Sequence, residues 1–367
     1  MEIRQLRADE FEQAILLADK TFRDQEHISM GQAFPHVFST ELGQSFGAFD
    51  GENLVGFMGL VPTPLKVGAS TLSVFSLGSV CTHEDYRQQG ISTMILKEIY
   101  RYINEAAASL LLVSGDRGMY MRNQCYHFGK VNKYTFNKLH STKAGNEMEM
   151  RQGQSSDIFE IDRIRRKSEV RYDSSIWEWQ VLLEAGAFPS IFKMKQALYV
   201  ASKNGVMEGY VVMGIPTNES TREQAIVTEW GGDSEVVYEI FHNLLAQEIV
   251  QEIELTIPWH EKLCEELSEL PFEEQMYSGT IHIVNATRLL EQLMPYLREK
   301  NEAVAQRLGI ETIDDNHMFL HYNGEKMTLT LEQLVTLLFV PQVDSLQYGL
   351  QTVFPIPLPH TEGMFYV

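Results

Sequence analysis

The sequence predicts a mixed α/β protein made of two successive units with the same strand–helix order, followed by a smaller α+β unit. Three observations predict it. At 367 residues the chain is longer than one ordinary domain, and 44% apolar residues are enough to fill real cores. Strand-length apolar runs alternate with longer stretches whose apolar residues recur every three or four positions. One pattern also occurs twice: a strand, an acidic or amide residue with glycine, then a strand ending near proline. It stands in "SFGAFDGENLVGFMGLVP" and again in "ALYVASKNGVMEGYVVMGIP". Each copy is followed by strand, helix and strand, an internal duplication at the level of the fold.

In order, residues 2–7 predict a strand and 8–23 a helix, with Phe11, Ala14, Ile15, Ala18 and Phe22 at helical spacing. Residues 46–49 and 54–61 predict strands joined by the turn Asp50-Gly51-Glu52-Asn53. Residues 72–82 predict a third strand and 89–107 a helix, with Ile91, Met94, Ile95, Ile99, Tyr102, Ile103 and Ala106 on one face. The apolar run 110–114 suits a buried strand. A short helix at 117–123 and a strand at 130–139 follow. Residues 140–155 are polar and aperiodic, so they predict a linker or surface loop. The second unit predicts helices at 156–170 and 174–185, a hairpin on Asn204-Gly205, a strand at 224–230, a helix at 234–249 and a strand at 253–257. The last predicts a strand at 280–284, a helix at 286–299, a hairpin in "HMFLHYNGEKMTLT", a helix in "LEQLVTLLFV" and a proline-rich tail. These units divide the chain into residues 1–145, 146–280 and 281–367.

The chain carries 50 acidic and 30 basic side chains, a formal net charge of −20. That charge repels nucleic acid and anionic membranes and favours cationic partners. The three cysteines, Cys81, Cys125 and Cys264, are far apart. With no CxxC pair, the sequence supports neither a disulfide framework nor a metal site. The charged N-terminus does not read as a signal peptide, and no apolar run has the length of a membrane span. A cytoplasmic location is the expectation.

The chemistry concentrates in "VCTHEDYRQQGIS", where a strand gives way to a long amphipathic helix. The first N–H groups of a helix lack intrahelical partners, and the helix dipole makes that end partly positive. Gly90 lets a ligand approach the backbone, and Ser92 is small enough not to obstruct it. Arg87 supplies a charged fork suited to phosphate oxygens. Together these features make a pyrophosphate cradle. The Rossmann alternative needs G-x-G-x-x-G, which is absent.

This stretch resembles the acetyl-CoA-binding motif of the GNAT superfamily of N-acetyltransferases, with Arg87, Gly90 and Ser92 at its three marked positions. Ser92 stands where Gly or Ala is usual. The resemblance implies that backbone groups of Val80, Cys81 and Thr82 hold the pantetheine arm, and that N–H groups of Gln88, Gln89, Gly90, Ile91, Ser92 and Thr93 hold the pyrophosphate. In "SGDRGMYMRNQCYHFGK" it implies a tyrosine that protonates the departing coenzyme A thiolate. Tyr120 fits this role, and Tyr126 is the alternative. The plan of two GNAT-type mixed-sheet domains and a third small unit resembles the enhanced intracellular survival (Eis) family. That resemblance implies a sterol-carrier-protein-like fold for residues 281–367, acetyl transfer from acetyl-CoA to a primary amine, and a ring-shaped homo-oligomer such as a hexamer. Aminoglycosides, polyamines and lysine side chains are the polycationic or amine acceptors that suit the acidic chain. A non-catalytic acyl-CoA sensor or scaffold is the competing expectation.

A general base is still needed, because a protonated amine cannot attack a thioester. The tail "FPIPLPHTEGMFYV" is proline-stiffened and ends in apolar residues, whereas free termini are usually polar and frayed. A docked tail would bury the carboxylate of Val367 and make it a better base. The family resemblance implies the same group. Docking for stability or assembly alone is the other reading. Cys125 is expected to be a buried, inert thiol, and His83 and Glu84 a solvated turn. Trp177 and Trp179 are expected to pack in the core.

Overall fold

A computed structural model describes residues 1–138, 148–341 and 349–367. In the first unit the elements are β1 (Glu2–Gln5), α1 (Phe11–Phe22), β2 (Phe46–Asp50), β3 (Asn53–Pro62), β4 (Val74–Thr82), α2 (Ile91–Glu105), β5 (Leu110–Val113), α3 (Gly118–Arg122), β6 (Tyr126–His127) and β7 (Lys130–Asn137). The second contains β8 (Glu149–Gln152), α4 (Ile158–Arg165), α5 (Ile176–Ala185), β9 (Lys195–Lys203), β10 (Val206–Ile215), β11 (Ala225–Gly232), α6 (Ser234–Ala246), β12 (Glu252–Pro258) and β13 (Phe272–Met276). Then come β14 (Thr280–Ile283), α7 (Ala286–Ala305), β15 (Gly309–Thr312), β16 (His317–Tyr322), β17 (Glu325–Thr330) and α8 (Leu331–Phe339). Most predicted elements are present. The predicted linker at 140–155 lies partly outside the described residues, but its end forms β8, paired with β9.

Two seven-stranded mixed sheets dominate, ordered β1-β2-β3-β4-β5-β14-β6 and β8-β9-β10-β11-β12-β7-β13. Sheet membership departs from sequence order at two strands. β7 leaves the first unit and pairs antiparallel with β12 and β13 of the second sheet. β14, after the second unit, returns between β5 and β6 of the first. β14 is buried at every residue, so it must lie inside a sheet with both faces covered.

Local chemistry explains the elements. The β9–β10 hairpin turns on Asn204 and Gly205, both at positive φ, the geometry a tight hairpin requires. α2 buries Ile91, Ile95, Leu96, Ile99 and Ile103 against the first sheet, leaving Met94 exposed. Leu96, rather than Met94, completes the inward stripe. The C-terminal elements share one core with β5, β14 and the strand Leu65–Val67, through residues such as Leu110, Ile281, Leu293 and Leu334. Among the described residues no helix is long and apolar enough to cross a membrane.

Candidate active site

The site begins where two parallel strands part. β4 and β5 are paired from Val74–Leu110 to Leu77–Val113, where β5 ends while β4 runs on to Thr82. Against β3, Cys81 pairs with Phe57 but Gly78 with Gly59, so Ser79 and Val80 together oppose one residue. This is a bulge, and Ser79 takes a left-handed φ of 52° to make it. A bulge bends its strand and turns the following residues. β4 therefore veers from β5 and leaves a V-shaped notch edged by the backbone of Val80, Cys81 and Thr82. The Cys81 side chain is buried on the α1 side, where burial pushes its thiol up to about 12. Only its backbone can serve a ligand.

The loop beyond β4 is shaped by two more left-handed residues, Gln88 (φ 64°) and Gly90 (φ 76°), and Gly90 caps α2. No atom lies within 4 Å of where a Cβ on Gly90 would stand, so the approach is open. Arg87, Gln88, Gln89 and Gly90 are exposed. Arg87 Nε donates to the Thr82 carbonyl at 3.3 Å, which holds its guanidinium over the loop. The hydroxyls of Ser92 and Thr82 are 3.3 Å apart, and Thr93 Oγ1 accepts from Asn123 at 3.4 Å. The first turn carries no acidic residue. Among the described residues no acceptor reaches the N–H groups of Ile91, Ser92 or Thr93. The cradle expected from the sequence is thus one continuous donor surface, and its donor set fits a pyrophosphate.

The second sheet repeats the notch but not the cradle. β11 and β12 are paired only at Ala225–Ile253 and Ile226–Glu254 before they part. There α6 is capped by Asp233, whose carboxylate accepts from Glu235 N–H at 3.0 Å, and Glu235 lies in the first turn. The helix end is already occupied by negative charge. Gly232 serves packing, since a Cβ there would overlap the Glu208 carbonyl. We expect calorimetric titration with acetyl-CoA to return one site per chain. A stoichiometry near two would mean that the second notch also binds it. A recess of about 1340 Å³ lies at this second notch, lined by residues including Thr228, Glu229, Asp233 and Glu261, and not at the cradle.

Tyr120 sits on α3 in the cluster that holds Leu77, Val113 and Ile91. Burial pushes its phenol well above the usual range. Tyr126 lies in β6 opposite Ile281 and packs against the core shared with the C-terminal elements. Of the two candidates, Tyr120 is the one in the notch cluster.

The tail reaches the same place. It is guided past the second sheet by bonds to its carbonyls. Tyr277 Oη donates to Leu358 at 2.9 Å and Tyr172 Oη to His360 at 3.1 Å. Phe365 stacks on Tyr172 at 4.5 Å between centroids. Gly363 lies against the Thr228 carbonyl of β11, and Val367 ends against Gly78 of β4. A Cβ on Gly78 would overlap the terminal carbonyl carbon and oxygen of Val367. Val367 itself is buried. Tyr366 lies beside the site, its phenol pushed up to about 12 by burial.

The remaining candidates separate cleanly. Cys125 is fully buried, and burial pushes its thiol up to about 11. His83 accepts from Asp85 N–H, and Glu84 pairs with Lys20 in an exposed turn. Trp179 is in the core and donates to Glu229 at 2.8 Å. Trp177 corrects the expectation of core packing: it is 72% exposed, because its neighbour two places on takes the inward face of α5. Gly78 was not legible as a site residue, since a glycine inside an apolar strand signals only a bulge or a close approach.

Residues 2–126 match the model of the acetyltransferase (GNAT) domain. No curated protein matches the sequence significantly. Among solved structures, Eis1 from Mycobacterium abscessus superposes with a TM-score of 0.61 at 14% identity, covering 89% of this chain and 85% of that one. A GCN5-related N-acetyltransferase from Anabaena variabilis gives a TM-score of 0.63 at 12% identity, with 91% and 89% covered. One from Kribbella flavida gives 0.60 at 10% identity, with 90% and 83% covered. Residues 2–126 thus match the GNAT acetyltransferase domain, and the chain as a whole has the fold of distant GNAT-superfamily acetyltransferases.

Proposed function

We propose that the protein is an acetyl-CoA-dependent N-acetyltransferase that acts on a primary amine by direct transfer in a ternary complex. The observation that carries this reading is the open cradle at α2 beyond β4, with the Val367 terminus against Gly78 of the same strand and Tyr120 packed with its Leu77. Acetyl-CoA supplies an activated thioester. Arg87 and the N–H groups from Gln88 to Thr93 bind its pyrophosphate, and the free edge of Val80–Thr82 aligns the pantetheine arm. The acceptor nitrogen gives its proton to the Val367 carboxylate and forms a bond to the thioester carbon. The developing oxyanion is held by backbone N–H groups at the bulge. As the carbon–sulfur bond breaks, Tyr120 passes its proton to the leaving sulfur. A phenol is protonated at neutral pH and so has the proton to give, although burial makes that of Tyr120 a weaker acid than a free tyrosine.

Release of coenzyme A thiol, measured over a panel of amines, tests the reading. An acyl-CoA sensor would bind acetyl-CoA and release nothing. Tyr120→Phe should lower kcat by about 10²-fold or more and leave acetyl-CoA affinity nearly unchanged. Unchanged kcat would remove Tyr120 from the chemistry. The same reading carries the division at residues 145 and 280, the sterol-carrier-protein-like assignment of residues 281–367, a cytoplasmic location and a homo-oligomeric ring. Of these points, the fold shared with Eis1 along most of the chain supports only the multi-unit plan.

A further inference from the structure

The second unit keeps the shape of a ligand notch and reverses its charge. A bulge bends β11 as one bends β4: Val212 opposes Glu229 and Met213 opposes Val227, so Thr228 is the extra residue. β11 and β12 then diverge, and the crevice beyond the carboxyl ends of parallel strands is where open α/β sheets bind ligands. Here that crevice is the recess of about 1340 Å³. Among the described residues none before Met148 lines it, nor does Val367, so it shares no wall with the α2 cradle, Tyr120 or Gly78. At the α6 end, Asp233 and Glu235 place negative charge where the first unit keeps free donors.

Each arm of this notch brings a carboxylate to the recess, Glu229 on β11 and Glu261 just past β12. Glu229 Oε1 accepts from Tyr210 Oη at 2.7 Å and from Trp179 Nε1 at 2.8 Å. Both bonds fall on one oxygen, which leaves Oε2 to the recess. Arg165 acts on Glu229 only through space, because its guanidinium pairs with Asp162 at 2.7 Å and donates to Ser174. Glu261 has His260 Nδ1 at 3.9 Å, but that ring donates its Nε2 proton to the Leu358 carbonyl, and burial pushes it down to about 4. Lysines and arginines also line the recess, yet among the described residues none forms an ion pair with Glu229 or Glu261. Burial without a cation raises both carboxyls, that of Glu261 to about 7. A bound cation would offset that cost. Trp230, Trp259 and Phe365 add aromatic walls, whose faces attract organic ammonium ions.

We propose that this recess is a second binding site, separate from acetyl transfer, for an organic dication: two ammonium groups on an alkyl or aromatic body, one held by Glu229 and one by Glu261. Two charges are needed because the carboxylates stand on diverging arms. The test is calorimetric titration of the full chain with 1,6-diaminohexane at pH 8 and low salt. No acetyl-CoA is present, so the result does not depend on whether the protein is a transferase. The expected result is one site per chain, at least ten-fold tighter for 1,6-diaminohexane than for hexylamine, which brings a single charge. Glu229→Gln and Glu261→Gln should each weaken that binding at least ten-fold. Gln at position 229 keeps an oxygen for Tyr210 and Trp179, and acetyl-CoA should raise the melting temperature of both variants as it does that of the wild type. Binding unchanged in both variants, or no tighter than that of hexylamine, would overturn the proposal. So would a fall in kcat/KM for acetylation of 1,6-diaminohexane that matches the fall in binding, because the recess would then belong to the acceptor's route.

Discussion

Appending two residues after Val367 is expected to lower kcat by about 10²–10⁴-fold, the range for loss of a general base. The terminal carboxylate then becomes an amide carbonyl, which cannot take the acceptor's proton. The new carboxylate is carried two residues beyond the position where the terminal carbonyl of Val367 lies against Gly78. The rest of the tail keeps its anchors at Tyr277, Tyr172 and Thr228, so the fold and the α2 cradle should persist. Acetyl-CoA should raise the melting temperature of the extended protein as it does that of the wild type. Single-turnover measurement of coenzyme A release separates chemistry from binding. Full activity in the extended protein would leave the tail with a purely structural role.

Gly90→Asp should weaken acetyl-CoA binding by at least 100-fold. The substitution meets no steric obstacle, since the site of the new Cβ is open. The left-handed φ of 76° is strained for most side chains but tolerated better by Asp and Asn. Asp is also a favoured N-cap, so its carboxylate would accept from the free N–H groups of α2. The cradle would then resemble the end of α6, where Asp233 already holds the Glu235 N–H. The substituted protein should melt near the wild-type temperature without ligand. It should lose the stabilisation that ligand gives, about 2.7 kcal/mol at 100 times the dissociation constant. If the substituted protein binds acetyl-CoA as tightly as wild type, the pyrophosphate lies elsewhere.

Much of the site was legible because it is local in sequence. The strand, the loop, Arg87, Gly90, Ser92 and the helix are consecutive, and an N-terminal cradle needs only short-range backbone geometry. The acidic cap that closes the second notch was legible for the same reason, in "GGDSEVVYE". The hairpin at Asn204-Gly205 and the inward stripe of α2 likewise follow from turn chemistry and helical period. The apolar tail marked a docked terminus, though not the surface that receives it.

What the sequence by itself determined, then, is the type and order of most elements, the repeated strand–helix order and the open start of α2 free of acidic residues, because each depends on residues within one turn or one strand of each other. Only the tertiary structure decided which strands complete which sheet. β7 (KVNKYTFN) and β14 (TIHI) both mix apolar with polar residues, a pattern that favours neither sheet, so the exchange between units is settled by packing over long separations. It also separated Tyr120, packed with Leu77 and Val113, from Tyr126, packed against the core of the C-terminal elements. It set Gly78 beneath the terminal carboxyl, a contact between residues nearly the whole chain apart. Such contacts depend on how finished sheets and loops pack together, and no local period in the sequence encodes them.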